Sequence, residues 1–140
     1  MKRIMLLFSM LLMFQVSFVT AQNKVKTSST VKVEVYYFHP TDRCPIDQSI
    51  EANLKVVMQS FFAKEIKAGT ILFRVINTDD KANAKITAKF DINAQALYIV
   101  KLEKDKEIQK DLTRFAFDYG QSNPGKFKSG LKEEIEKALK

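Results

Sequence analysis

The chain of 140 residues contains one cysteine, Cys44, one histidine, His39, four glycines and three prolines. A single cysteine excludes any disulfide within the chain. Four scattered glycines leave no loop rich enough in glycine to cradle phosphates and no dinucleotide-binding fingerprint. Lysine and arginine outnumber the acids by 23 to 16, yet no dense basic block exists. After Lys2 the lysines run from Lys24 to Lys140 and alternate with acids near the end of the chain. This pattern reads as a solvated surface of mixed charge, with no nucleic-acid partner expected. Internal repeats and low-complexity tracts are also missing, so one domain with one core is the expectation for this length.

What is present begins with a three-zone leader. Lys2 and Arg3 are basic, residues 4–14 are almost wholly apolar, and Val19-Thr20-Ala21 ends in small residues. That is the layout of a secretory signal peptide. Gln15 and Ser17 interrupt the apolar run before it reaches the roughly 20 residues that a spanning helix needs. Residues 1–21 are therefore expected to be removed after Ala21, with an uncleaved anchor as the competing reading. No cysteine follows the apolar run at the cut, which argues against a lipid anchor. Loss of Lys2 and Arg3 takes two charges from the formal +7 and leaves +5. The product is expected to be periplasmic or secreted, without stable membrane insertion once the leader is gone. Residues 22–30 are polar and read as a short mobile leader, and residues 31–140 as the folded domain.

Within that domain, Val31, Val33, Val35 and Tyr37 alternate with Lys32, Glu34, Tyr36 and Phe38, the period of a strand. His39-Pro40-Thr41-Asp42-Arg43 forces a loop. From Pro45 the period becomes helical, with Ile46, Ile50, Leu54, Val57 and Phe61 on one stripe. Pro45 suits the first helical turn, and Gly69 ends the helix near Lys67. Residues 70–76 read as a strand. Asp79 and Asp80 offer caps for an alanine-rich helix running to about Phe90. Residues 96–102 and 107–112 read as strands joined in a hairpin by the charged residues 103–106. Residues 119–123 form a loop, and Asn123-Pro124 opens a closing helix in which Phe127, Leu131, Ile135 and Leu139 recur every fourth residue. The expected order is β-α-β-α-β-β-α, an α/β fold with a mixed sheet and helices on both faces. Tyr36, Tyr37, Phe61, Phe62, Phe73, Phe90, Phe115 and Phe117 sit at strand or helix spacing and are expected in the core.

Cys44 directly follows the first strand and stands at the mouth of the first long helix. Unpaired backbone N–H groups and the helix dipole favour negative charge there, and Arg43 adds a positive neighbour, so both favour a thiolate. An inert buried cysteine is the alternative. Asp47, one helical turn on, opposes thiolate formation and partly offsets Arg43 and the dipole. His39 lies close enough in sequence to approach Cys44. Together with Asp47, the set His39, Cys44 and Asp47 could ligate zinc or copper. An exposed loop histidine bonded to backbone is the simpler reading of His39.

The element order and the tetrad Cys44-Pro45-Ile46-Asp47 at the strand-to-helix turn resemble a thioredoxin-like fold, with Asp47 where such proteins carry a second cysteine. More narrowly, Val35-Tyr36-Tyr37-Phe38-His39 followed by Arg43-Cys44 resembles the exported proteins of the ArsF family, named for a nitrophenyl compound nitroreductase subunit. The similarity extends from about Val31 to the end of the chain, including the segment 94–99 and the Phe127 helix. It implies a redox or accessory subunit acting through Cys44, with Arg43 and Asp47 beside it. The family's name implies flavin or nicotinamide chemistry within a complex, for which this chain carries no fingerprint. Two departures bear on activity. Asp47 cannot release a mixed disulfide as a second thiol would. The cis-proline that thioredoxins place beside the reactive sulfur has no counterpart around Gln95-Ala96.

Three functions follow as expectations. Cys44 exchanges with a partner disulfide as a monothiol and is resolved by another molecule; or the domain is a non-catalytic binding module or subunit; or it captures metal through Cys44, His39 and Asp47. No other cofactor is expected. The partner is a protein, joined as a mixed disulfide or as a subunit, and a disulfide-linked homodimer through Cys44 is a further expectation.

Overall fold

The computed structural model describes residues 31–104 and 106–140. The expected leader segments, 1–21 and 22–30, lie outside these residues. Four strands, β1 (Val33–His39), β2 (Ile71–Asn77), β3 (Ala96–Glu103) and β4 (Lys106–Asp111), form one sheet in the order β2-β1-β3-β4. β1 and β2 are parallel, with Val35 opposite Phe73, while β3 runs antiparallel to both β1 and β4. A parallel pair cannot be closed by a tight turn and needs a crossover. Here α1 (Pro45–Phe61) and the short α2 (Ala63–Lys67) supply it. The chain is thus an α/β protein with a mixed four-stranded sheet.

β1 is central, and its alternation loads both faces. Val33, Val35 and Tyr37 face one side, where they pack with Ile50, Leu54, Val57 and Met58 of α1 and with Phe127, Leu131 and Ile135 of α5 (Pro124–Leu139). Tyr36 and Phe38 face the other, in a smaller cluster with Ile76, Val100 and Phe90, the residue that ends α3 (Ala84–Lys89). A 3-10 turn at Lys81–Asn83 precedes α3. The N–H of Ala82 donates to Asp80 Oδ1 at 2.9 Å, so Asp80 is the cap there. Asp79 does something else: its Oδ2 accepts the N–H of Thr41 at 2.7 Å and ties the loop after β1 to the loop after β2. At the last helix, Asn123 Oδ1 accepts from the N–H of Lys126, the cap that the Asn-Pro pair announces.

Four local features depart from the sequence expectations. The long helix does not run unbroken to Lys67. Phe62, at φ −124°, leaves helical geometry and separates α1 from α2, turning its own ring into the core at 3 % exposure. Phe61, expected inside, is 50 % exposed as a result, with the Lys132 ammonium 5.6 Å from its ring. Residues 113–119 form a helix, α4 (Thr113–Tyr119), where none is expected. Asp111 Oδ1 accepts the N–H of Thr113 at 2.7 Å and the Thr113 hydroxyl accepts the N–H of Leu97, so the chain leaves β4 pinned in position to start a helix. Phe115 packs on Phe127 with centroids 5.8 Å apart, but Phe117 points outward and is partly exposed.

Two glycines carry backbone requirements. Gly69 has φ +72°, the left-handed geometry that follows α2 and turns the chain into β2. Gly120 follows α4, and a Cβ there would stand 2.4 Å from Ile50 Cγ1 and 2.5 Å from the carbonyl of Ala116. The Gly120 carbonyl accepts the Asn53 amide at 2.9 Å, so α4 is fastened directly onto α1. Among the described residues no helix is long and apolar enough to cross a membrane.

Candidate functional site

The loop of residues 40–44 carries the chain from the end of β1 to the first turn of α1. Cys44 is the residue that caps this helix, with extended backbone at φ −80° and ψ 164°. Its carbonyl accepts the N–H of Gln48, and Pro45 fills the first helical position, where a missing N–H costs nothing. The thiol is exposed. Its placement at the amino end of a 17-residue helix puts it near unpaired N–H groups and the positive end of the helix dipole.

Beneath the thiol lies Asp47, which is completely buried. Its Oδ2 accepts three hydrogen bonds: from the Cys44 N–H at 3.1 Å, from Cys44 Sγ at 3.1 Å and from Gln95 Nε2 at 2.9 Å. The first of these is the side-chain half of a capping box, in which the third residue of the helix reaches back to the cap. The Cys44 side chain forms the other half of the box, facing the Asp47 N–H, and the Gln95 bond lies outside the cap. Asp47 Oδ1 is buried without a protein partner. Leaving a buried acceptor unpaired costs about 1–3 kcal/mol, so such groups need an explanation beyond stability. Only three buried side-chain polar atoms among the described residues lack a partner, and two of them belong to Arg43, the residue before Cys44, and to Asp47, one helical turn after it.

Arg43 directs its guanidinium to Glu51, which also receives Lys55. Burial raises the Glu51 carboxyl, but the hydrogen bonds and charges of Lys55 and Arg43 outweigh it and hold the group below its ordinary range. The positive charge of Arg43 is therefore shared with a carboxylate one turn beyond Asp47. Tyr37, on β1, donates its hydroxyl to the backbone carbonyl of Asp47 at 3.1 Å. Burial, and then the charge of Asp47, push this phenol well above its usual range against the smaller opposing influence of Arg43. The Tyr37 hydroxyl is thus a fixed donor that anchors the first turn of α1 to the sheet.

His39, at the end of β1, is half-buried and donates Nδ1–H to the carbonyl of Pro40 at 2.8 Å. Its ring lies 6.2 Å from that of Tyr37. Among the described residues, no three His, Cys, Asp or Glu side chains converge closely enough to hold a metal ion. Of the residues singled out by sequence, Cys44 and Asp47 are in direct contact, while Arg43 turns to Glu51 and His39 to its own loop. Gln95 is the member that sequence reasoning missed. It stands immediately before β3, and its reach to Asp47 across 48 positions has no local signature.

No protein-family model matches the chain, and no curated protein matches it. A solved structure described as "Structure of a malarial protein" is similar at 15 % identity with a TM-score of 0.40, over 62 % of this chain and 93 % of that one. A likeness at that level bears on neither fold family nor function.

Proposed function

We propose that the chain is an exported, thioredoxin-like monothiol protein whose Cys44 exchanges with disulfides of a protein partner. The observation that carries this reading is the exposed Cys44 thiol at the amino end of α1, in hydrogen-bond contact with a buried carboxylate. The sheet order β2-β1-β3-β4 with its parallel β1–β2 crossover, and the place of Cys44 directly after β1, support the thioredoxin-like reading. Helix N-termini stabilise thiolates, and an accessible thiolate is the nucleophile that attacks disulfides. The cycle stops at the mixed disulfide, because Asp47 occupies the place of a resolving thiol and the chain holds no other cysteine. Release then requires a thiol from another molecule, which suits an adaptor or accessory subunit better than an autonomous reductase. The leader expected at residues 1–21 and the resemblance to ArsF-family proteins support a periplasmic or secreted setting for this chemistry.

Trapping tests the proposal. Cells expressing the protein are treated with acid and a thiol-blocking reagent, and their envelope proteins are separated without reductant. Adducts of the protein that collapse on reduction and vanish in Cys44→Ser are expected. An adduct pattern identical in wild type and Cys44→Ser would overturn the reading.

A further inference from the structure

We infer that Asp47 is the group that accepts the Cys44 proton during attack on a disulfide, with Gln95 as its positioning residue. The inference rests on the monothiol reading above and adds the identity of its base.

The geometry gives three reasons. Cys44 Sγ and Asp47 Oδ2 are 3.1 Å apart, within reach for direct proton transfer and with no intermediary needed. Asp47 is entirely shielded from solvent with Oδ1 unpartnered, so a proton arriving on this carboxylate removes a buried charge that the surroundings leave half-satisfied. Gln95 Nε2 donates to the same oxygen that faces the sulfur. That contact comes from the start of β3, independently of the helix, and fixes the rotation of the carboxylate so that Oδ2 is presented to the thiol. A capping box brings the Cys44 side chain and Asp47 together, but it requires neither the Gln95 bond to Oδ2 nor a buried, unpartnered Oδ1.

The step balances as follows. Cys44 Sγ forms a bond to one sulfur of the partner disulfide as its proton passes to Asp47 Oδ2. The disulfide bond breaks, and its electron pair leaves on the second sulfur as a thiolate. That thiolate then takes the proton from Asp47. Cys44 is oxidised to the mixed disulfide and the partner's second sulfur is reduced to a thiol, leaving Asp47 as it began. An external thiol reverses the same path, with Asp47 protonating the departing Cys44 sulfur.

An ionised carboxylate against a thiol also repels a thiolate, so two opposite effects compete and their signs separate them. The test measures mixed-disulfide formation at Cys44 by mass spectrometry after acid quench, using oxidised mercaptoethanol, a small uncharged disulfide, across about pH 5 to pH 9. Wild type, Asp47→Asn and Gln95→Leu are compared, each checked by circular dichroism. With Asp47 as the base, Asp47→Asn is expected to react about tenfold more slowly than wild type near pH 6, below the roughly 100-fold at which general-base losses typically begin, because the helix terminus still favours the thiolate in the variant. The gap closes toward pH 9, where an ordinary thiol of pKa about 8.5 ionises unaided. Gln95→Leu keeps the carboxylate and is expected to fall between the two. Should Asp47→Asn prove as fast as wild type or faster near pH 6, Asp47 acts only as a repelling charge and the inference is overturned, while the monothiol reading stands. Should wild type be no faster than its own urea-unfolded chain at every pH, the monothiol reading fails and the inference falls with it.

Discussion

On one face of the sheet, Val33, Val35, Leu97 and Ile99 meet the aliphatic stripes of two helices of 17 and 16 residues. On the other face, Tyr36, Phe38, Phe90 and Tyr98 build an aromatic cluster, with ring centroids 5.1 to 6.4 Å apart, under a helix of only six residues. The first face carries the helix whose amino end holds Cys44. The second contributes to the site only through the chain that leads from α3 to Gln95. The contrast shows a division of labour: one face sets the position of the thiol, and the other closes the back of the sheet. Long aliphatic stripes fix the axis of α1, and with it the direction of the N–H groups at Cys44.

Damage to the two faces should therefore affect the site unequally. Leu54→Ala, at a fully buried position on α1, is expected to cost about 4 kcal/mol in urea unfolding and to slow disulfide exchange at Cys44 as the helix loses its seat. Phe90→Ala removes the centre of the aromatic cluster and is expected to cost about 3 kcal/mol while leaving the exchange rate within about twofold of wild type. Equal loss of exchange in both variants would break the comparison. Gly120→Ala sharpens it. The new methyl collides with Ile50 and the Ala116 carbonyl, so about 2 kcal/mol of destabilisation is expected, again on the α1 face.

The smallest effect concerns pH. Glu51 is held below its ordinary value of 4.5, so the stability it contributes is present above that pH and is lost as pH falls through the folded-state value. Glu51→Gln is expected to lower stability by on the order of 0.5 kcal/mol near neutrality. The variant should also flatten the acid limb of a urea-midpoint series run downward from about pH 6. A limb as steep as that of wild type would show that Glu51 does not titrate into it.

The contrast between the faces also explains what could be read from the sequence. Strand β1 and helices α1 and α5 were legible because their apolar residues repeat at periods that only one secondary structure satisfies, and β3 because a short apolar run is followed by a charged turn. Helix α4 was not, because Phe115 and Phe117 alternate like strand residues. What makes Thr113 a helix start is a pair of bonds, to Asp111 and to the remote Leu97, of which the second joins segments far apart in the chain. Phe61 misled for a related reason. It falls on the stripe of Ile50, Leu54 and Val57, yet α1 stops there and Phe62 takes the inward place. At the site, Cys44 and Asp47 were legible by their spacing of one helical turn. The direction of Arg43 toward Glu51, the burial of Asp47 and the reach of Gln95 depend on tertiary packing that no local pattern records.

The central claim is that the fold activates a lone thiol, and the rate of Cys44 exchange in the folded chain against the same chain unfolded in urea measures this directly. At neutral pH and equal concentration of a small disulfide, the folded protein is expected to react several-fold faster, because the helix, its dipole and the contact between Cys44 and Asp47 exist only in that state. A folded chain that reacts more slowly than the unfolded one would mean that the fold protects Cys44, and the account would be wrong.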